Sequence, residues 1–181
     1  MKGCCFTGYR PEKTPFPYDE GNADYLRFEN NLTKVLARAL SDGFDTFYCG
    51  GAMGFDILAA ELLLLMRYNG NFRLIMVLPY RSQAAAFPSE WKERYNALLK
   101  SADEVVCLSD AYHNRCFAER NEYMVDRSER VISFCDGKSG GTLNTLRYAR
   151  KKGLEIINVA EELKQPLNYT FFEVIEGEDN D

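Results

Sequence analysis

Between Cys49 and Asp56 the chain reads Cys-Gly-Gly-Ala-Met-Gly-Phe-Asp, and this stretch constrains the fold more than any other. The apolar run before it, Phe44 to Cys49, has the length and composition of a strand. The apolar segment after it, from Gly54 to about Tyr68, has helical spacing. A strand that turns through glycines into a helix leaves backbone N–H groups unpaired at the helix start. With no Cβ in the way those groups can close on an anion, and the helix dipole favours its negative charge. A tight turn needs one glycine, whereas here Gly50 and Gly51 are followed by Gly54 at the helix threshold, with Met53 and Asp56 beside them. The spacing is neither G-x-G-x-x-G nor G-x-x-x-x-G-K-[ST], so neither standard nucleotide fingerprint applies.

The same grammar recurs along the chain. A short strand from Gly3 to Phe6 breaks at Thr7-Gly8-Tyr9-Arg10-Pro11, and an irregular, proline-bearing excursion runs from Glu12 to Asn22. Tyr25, Phe28, Leu32, Val35, Leu36 and Ala39 mark a helix over Asp24 to Ser41, closed by Gly43. Phe72 to Leu78 is nearly continuous in apolar residues, as a buried parallel strand should be, and ends in the loop Pro79 to Gln83. Ser89 is expected to cap the next helix, with Trp91, Tyr95 and Leu98-Leu99 facing inward. A fourth strand, Glu104 to Leu108, leads to a helix over Cys116 to Ser128 with an inward stripe of Phe117, Asn121, Met124, Val125 and Ser128. Asn121, in mid-stripe, either bonds to neighbouring backbone or lines a pocket. A fifth strand, Val131 to Cys135, runs into Asp136-Gly137-Lys138-Ser139-Gly140-Gly141-Thr142, a second strand–Gly-Gly–helix turn. Leu154 to Val159 is the last core strand, and the tail alternates weakly through Tyr169, Phe171 and Ile175 before acidic residues.

Strict alternation of strands and helices implies an α/β fold, a doubly wound and mainly parallel sheet with helices in layers on both faces. In such a sheet every strand-to-helix loop lies on one rim, the carboxyl edge where ligands bind. Thr7, Gly8 and Arg10, the two Gly-Gly turns, Pro79 and Gln83 converge there, and a phosphate-bearing small molecule is the leading inference. Residues 1–165 read as one nucleotide-binding domain and residues 166–181 as an extension with an acidic tail. The Gly54–Tyr68 helix carries one stripe of Leu58, Leu62, Leu65 and Met66 and a second of Ile57, Leu64 and Tyr68. One sheet cannot cover both, so a homodimer is expected.

Composition excludes several classes. A net charge of -5 argues against a sequence-indifferent nucleic-acid binder, which needs clustered Lys and Arg. With one histidine, His113, and no C-x-x-C spacing among six cysteines, no metal site is expected. His113 and Cys116 lack the context of a Cys–His nucleophile. Ile57 to Met66, the most apolar stretch, contains Glu61 and is too short to span a bilayer. No signal peptide is visible, and a cytoplasmic location is the expectation.

Taken together and in order, Cys5-Phe6-Thr7-Gly8-Tyr9-Arg10-Pro11, Gly50-Gly51-Ala52-Met53-Gly54-Phe55-Asp56, Arg120-Asn121-Glu122 with Met124-Val125-Asp126, and Asp136 to Thr142 resemble the YpsA family. That family belongs to the SLOG superfamily, with the DprA proteins and the "Lonely guy" phosphoribohydrolases. The resemblance covers about residues 3 to 159. It implies a Rossmann-like fold whose glycine turns bind nucleotides or nucleotide-derived, ADP-ribose-like ligands, and no settled activity or cofactor. The hydrolase relatives carry P-G-G-x-G-T-x-x-E. Gly141-Thr142 matches its G-T, but Thr145 stands where the glutamate should be, and a threonine cannot do a carboxylate's acid–base work.

Asp56, Glu119 and Asp126 remain as carboxylates near the rim, with Asp56 and Glu119 as the catalytic candidates. Asp56 reads equally as a partner of its own helix dipole. Arg10 and Arg120 read either as surface arginines or as ligand-anion contacts, and Lys138 and Ser139 belong to the second glycine turn. Binding or sensing of a nucleotide-like molecule leads. N-glycosidic hydrolysis or transfer on nucleoside monophosphates follows, and single-stranded DNA binding comes last.

Overall fold

The computed structural model describes residues 1–162. The extension at 166–181, with Tyr169, Phe171 and Ile175, lies outside the described residues. Strands β1 (Gly3–Gly8), β2 (Thr46–Cys49), β3 (Arg73–Leu78), β4 (Glu104–Cys107), β5 (Arg130–Phe134) and β6 (Glu155–Asn158) form one sheet. Its order is β4-β3-β2-β1-β5-β6, with every neighbouring pair parallel. Between the strands run α1 (Ala23–Ser41), α2 (Phe55–Leu65), α3 (Ser89–Ser101), α4 (Cys116–Val125) and α5 (Gly141–Lys151), with a one-turn α6 (Val159–Glu162) after β6. Pairs α1–α2 and α2–α3 pack together, as do α1–α6 and, separately, α4–α5. Right-handed crossovers moving outward from β1 put α1 to α3 on one face. The return to β5 and β6 puts α4 and α5 on the other. This is the expected doubly wound, Rossmann-like α/β fold.

Local sequence explains most elements. Asn22 ends its loop by accepting hydrogen bonds from the N–H groups of Asp24 and Tyr25, each 3.0 Å long, which starts α1. The buried face of α1 is the expected row from Tyr25 to Ala39. Within that layer Phe28 meets the rings of Phe16, Phe55 and Phe134 at centroid distances of 5.1, 6.2 and 4.9 Å. Glu61, the acid inside the apolar α2, is neutralised by Arg94 of α3 in a two-pronged ion pair of 2.9 and 2.6 Å.

Three sequence expectations are corrected. Ser89 is the first residue of α3, not its cap; Pro88 holds that position and no side chain caps the helix. Helix α2 gives way at Met66 to a 3-10 turn ending at Asn69, leaving Leu65 and Tyr68 exposed. Helix α4 ends at Val125, short of Ser128, and its buried residues are Cys116, Arg120, Met124 and Val125; Ser128 is buried just beyond its end, while Phe117 and Asn121 are only half-buried. Apolar periodicity placed Met124, Val125 and Ser128 correctly but was one residue off in the first two turns, where Cys116 and Arg120 are buried, because it treated an arginine as a surface residue. Among the described residues no helix is long and apolar enough to cross a membrane.

The aromatic layer sets a stability prediction. Phe28→Ala should cost about 3–5 kcal/mol in urea denaturation, since one truncation removes several ring contacts and leaves a cavity. A loss below about 1 kcal/mol would show that the layer repacks freely.

Candidate functional site

From β1 the chain steps outward through β2 and β3 to β4, then returns across the sheet to place β5 on the other side of β1. The loops leaving β1 and β5 therefore part in opposite directions and open a crevice at the carboxyl rim. It is a cleft of about 550 Å³, a size typical of small-molecule sites. Thr7, Gly8, Tyr9, Arg10, Glu12 and Lys13 line it from the first loop, and Ala52 and Asp56 from the start of α2. Phe117, Arg120 and Asn121 come from α4, and Gly141 and Thr142 from the start of α5.

Hydrogen bonds lace the rim of this cleft. The Thr142 hydroxyl donates to the Gly8 carbonyl at 3.0 Å, tying α5 to the end of β1. The Tyr9 hydroxyl donates to Asp136 at 2.7 Å and accepts from the Lys138 N–H at 3.0 Å. Lys138 and Tyr9 together hold the Asp136 carboxyl down to about 2, and burial raises the Tyr9 phenol. Lys13 folds back to donate to the Ser139 carbonyl at 3.0 Å. Gly140 precedes α5 at the cap position and supplies no side-chain cap, and a Cβ on Gly141 would meet nothing within 4 Å. That helix end is open to the cleft.

At the cleft wall lies a buried charge pair. Arg120 is 5% exposed and Asp56 4%, and their closest approach, Nη1 to Oδ2, is 4.0 Å, the length of an ion pair rather than a hydrogen bond. Nε and Nη1 of Arg120 have no hydrogen-bond partner among the described residues. Burial raises the Asp56 carboxyl to about 6 against the opposing pull of Arg120, and the same burial lowers Arg120. Gly50 makes the arrangement possible, because a Cβ there would overlap the Arg120 guanidinium.

Eight of the expected site residues are thus brought together: Thr7, Gly8, Arg10, Asp56, Arg120, Asn121, Gly141 and Thr142. The others support the wall or lie beside it. Gln83 is buried and donates to the Gly50 carbonyl at 3.1 Å and to Tyr95 at 3.2 Å, fixing the first glycine turn. Gly51 packs under Met76 and Tyr95, and Gly54, at φ +89°, leaves room for the Tyr9 carbonyl that accepts from Phe55. Pro79 is buried at the end of β3 and Met53 is half-buried; neither reaches the cleft. Asp136, Lys138, Ser139 and Gly140 form the outer strap. Glu119 is exposed and faces His113 and Arg115, each at 3.6 Å, outside the lining. Asn121 both lines the cleft and donates to Thr145 at 2.8 Å.

Sequence reasoning missed Tyr9, Glu12, Lys13, Ala52 and Phe117 as lining residues. Tyr9 lay inside a flagged loop, whereas Lys13 comes from a segment without periodicity, and no local pattern announces its return to Ser139.

Comparison with known proteins agrees with this fold. A family model, YpsA, described as the YspA SLOG family, matches residues 4–164. The chain is similar to the SPbeta prophage-derived protein YoqJ of Bacillus subtilis (strain 168), at 26% identity over 83% of this chain and 98% of that protein. Among solved structures it is similar to DNA processing protein A from Helicobacter pylori, described for its single-stranded DNA binding mode. The TM-score is 0.60 at 20% identity, over 92% of this chain and 67% of that one. The Streptococcus pneumoniae counterpart gives 0.58 at 15% identity, over 87% and 50%. At such identities the structural likeness establishes the fold alone.

The buried pair predicts a pH signature. Folding holds the Asp56 proton up to about pH 6, against 3.8 for a free carboxyl, so folding binds a proton between those values. The stability this group contributes is present below about pH 4 and falls as pH rises through about 6. Measured by urea unfolding, wild type should lose on the order of 3 kcal/mol relative to Asp56→Asn between pH 4 and 7. A flat difference would place the Asp56 carboxyl in water, and a rising one would mean that Arg120 outweighs burial and lowers it.

Proposed function

Because the chain belongs to the YpsA family of SLOG proteins, we propose that its cleft binds a nucleotide or nucleotide-derived, ADP-ribose-like ligand by the phosphate. The observation that carries this is Arg120, a buried guanidinium at the cleft wall with two nitrogens lacking hydrogen-bond partners among the described residues. A buried cation without full hydrogen bonding is costly, and an anionic oxygen entering the cleft offsets that cost. Arg10, Lys13 and the open start of α5 add positive potential in the same space. Calorimetry against nucleoside monophosphates and ADP-ribose should find a binder. Arg120→Lys should weaken it by about 1–3 kcal/mol, and Gly50→Ala similarly by displacing the guanidinium. A panel without a binder, or affinities unchanged in both variants, would refute the reading.

One observation favours a second reading, hydrolysis or transfer at an N-glycosidic bond. Asp56 is a cleft carboxyl whose proton is held to about pH 6, near the range useful to a general acid or base. Against it, Thr145 is buried and its hydroxyl, which donates to the Gly141 carbonyl at 2.9 Å, has no acid–base capacity. Glu119 stands outside the cleft. Binding without turnover is therefore the leading form. Free base released from nucleoside 5′-monophosphates should stay at background by chromatography, and turnover near ~1 s⁻¹ that Asp56→Asn abolishes would reverse the order. Single-stranded DNA binding, the activity named for the Helicobacter pylori protein, is disfavoured by the charge of -5 and calls for longer basic grooves than three cleft cations.

We also infer a homodimer through the end of α2, supported by Leu65 at 76% and Tyr68 at 101% exposure. Light scattering should give about twice the chain mass of 20.7 kDa. A monomer at micromolar concentration would contradict it.

A further inference from the structure

Behind the cleft, between α4 and α5, lies a second cavity of about 270 Å³. The two spaces share Phe117, Asn121 and Gly141 as common lining, so they adjoin. Their chemistry differs. The cleft carries Arg10, Lys13 and Arg120, whereas the second cavity has no cation and offers the amides of Asn114, Asn121 and Asn144 beside the rings of Phe117 and Tyr148. Its one charged lining residue is Glu122, which repels a phosphate and is itself engaged by Arg115 at 3.5 Å.

Phe117 is braced where the two spaces meet. The rings of Tyr80 and Tyr112 pack on it at 5.9 and 6.4 Å, and the Arg10 guanidinium lies 5.9 Å from its centre. A braced aromatic face next to several amides fits a flat, neutral, hydrogen-bonding ring: the face stacks while the amides meet the edge. A cationic space joined to such a cavity fits a molecule with an anionic end and a ring end.

We propose that the second cavity is a nucleobase subsite, and that the ligand is a base-bearing nucleotide rather than a sugar phosphate. This rests on the reading of the cleft as a phosphate site. In this arrangement the phosphate meets Arg120 and the base passes Phe117 to lie between α4 and α5. Discrimination among bases then falls to Asn144 and its neighbouring amides, since an amide can donate and accept at once.

The test compares ribose 5-phosphate with the tightest of four nucleoside monophosphates by calorimetry, in wild type, Ala118→Phe and Asn144→Leu. Ala118 and Asn144 line only the second cavity, and both are exposed on their helices, so the fold accepts larger side chains there. Wild type should prefer the nucleotide at least tenfold. Ala118→Phe, which fills the cavity, should bring that ratio near one, and Asn144→Leu should reduce it severalfold. Ribose 5-phosphate affinity should stay unchanged in both, which also shows that the variants are folded. Equal affinity for the two probes in wild type, or a preference that survives Ala118→Phe, overturns the base subsite while the phosphate site stands. A chain that binds neither probe overturns both.

Discussion

The rim of this sheet is organised around a charge that is expensive to bury. Arg120 on α4 reaches across to the first glycine turn, where Gly50 leaves room for its guanidinium and Asp56 faces it from the start of α2. Two segments far apart in sequence, α4 and the turn that leads into α2, meet at that contact, and Gln83 extends the network by fixing the Gly50 carbonyl against Tyr95. At 4.0 Å the pair is too long for a hydrogen bond, and both side chains are almost wholly buried. Asp56 accepts a hydrogen bond from the Ala52 N–H at 3.4 Å, whereas Nε and Nη1 of Arg120 have no partner among the described residues. Structures retain such arrangements at a cost in stability. Arg120 has a functional explanation if a ligand supplies the missing acceptor.

Fold class was legible from periodicity and punctuation. Alternation of apolar runs with helical stripes implied a parallel sheet, and the glycine turns marked where strands become helices. What local pattern could not supply was the identity of contacts between distant segments. The glycines of the first turn read as an anion cradle, because sequence shows only that side chains are absent there. In the structure the space above Gly50 is taken by an arginine from 70 residues away. The first turns of the α4 stripe were misplaced for the same reason, since a periodicity of apolar residues cannot register a buried guanidinium, although Met124, Val125 and Ser128 are buried as expected. The strap in which Lys13 meets Ser139 and Tyr9 meets Asp136 had no local signature, because each half is an ordinary loop on its own.

The second glycine turn keeps its open character. Gly141 faces free space and α5 begins uncapped, while Thr142 bonds to the end of β1. The two Gly-Gly turns, alike in sequence, thus have different duties: the first admits a cation, and the second presents backbone donors beside it. Their combination at the point where strand order reverses is what the proposed anion site rests on. Thr145, standing where the hydrolase motif carries a glutamate, has its hydroxyl occupied between Asn121 and the Gly141 carbonyl.

A crystal structure of the chain grown with a nucleoside monophosphate tests this account most directly. It predicts a phosphate oxygen within hydrogen-bond distance of the Arg120 guanidinium, in the cleft between Gly8 and Gly141. A ligand bound elsewhere, with Arg120 still lacking an acceptor, would contradict it.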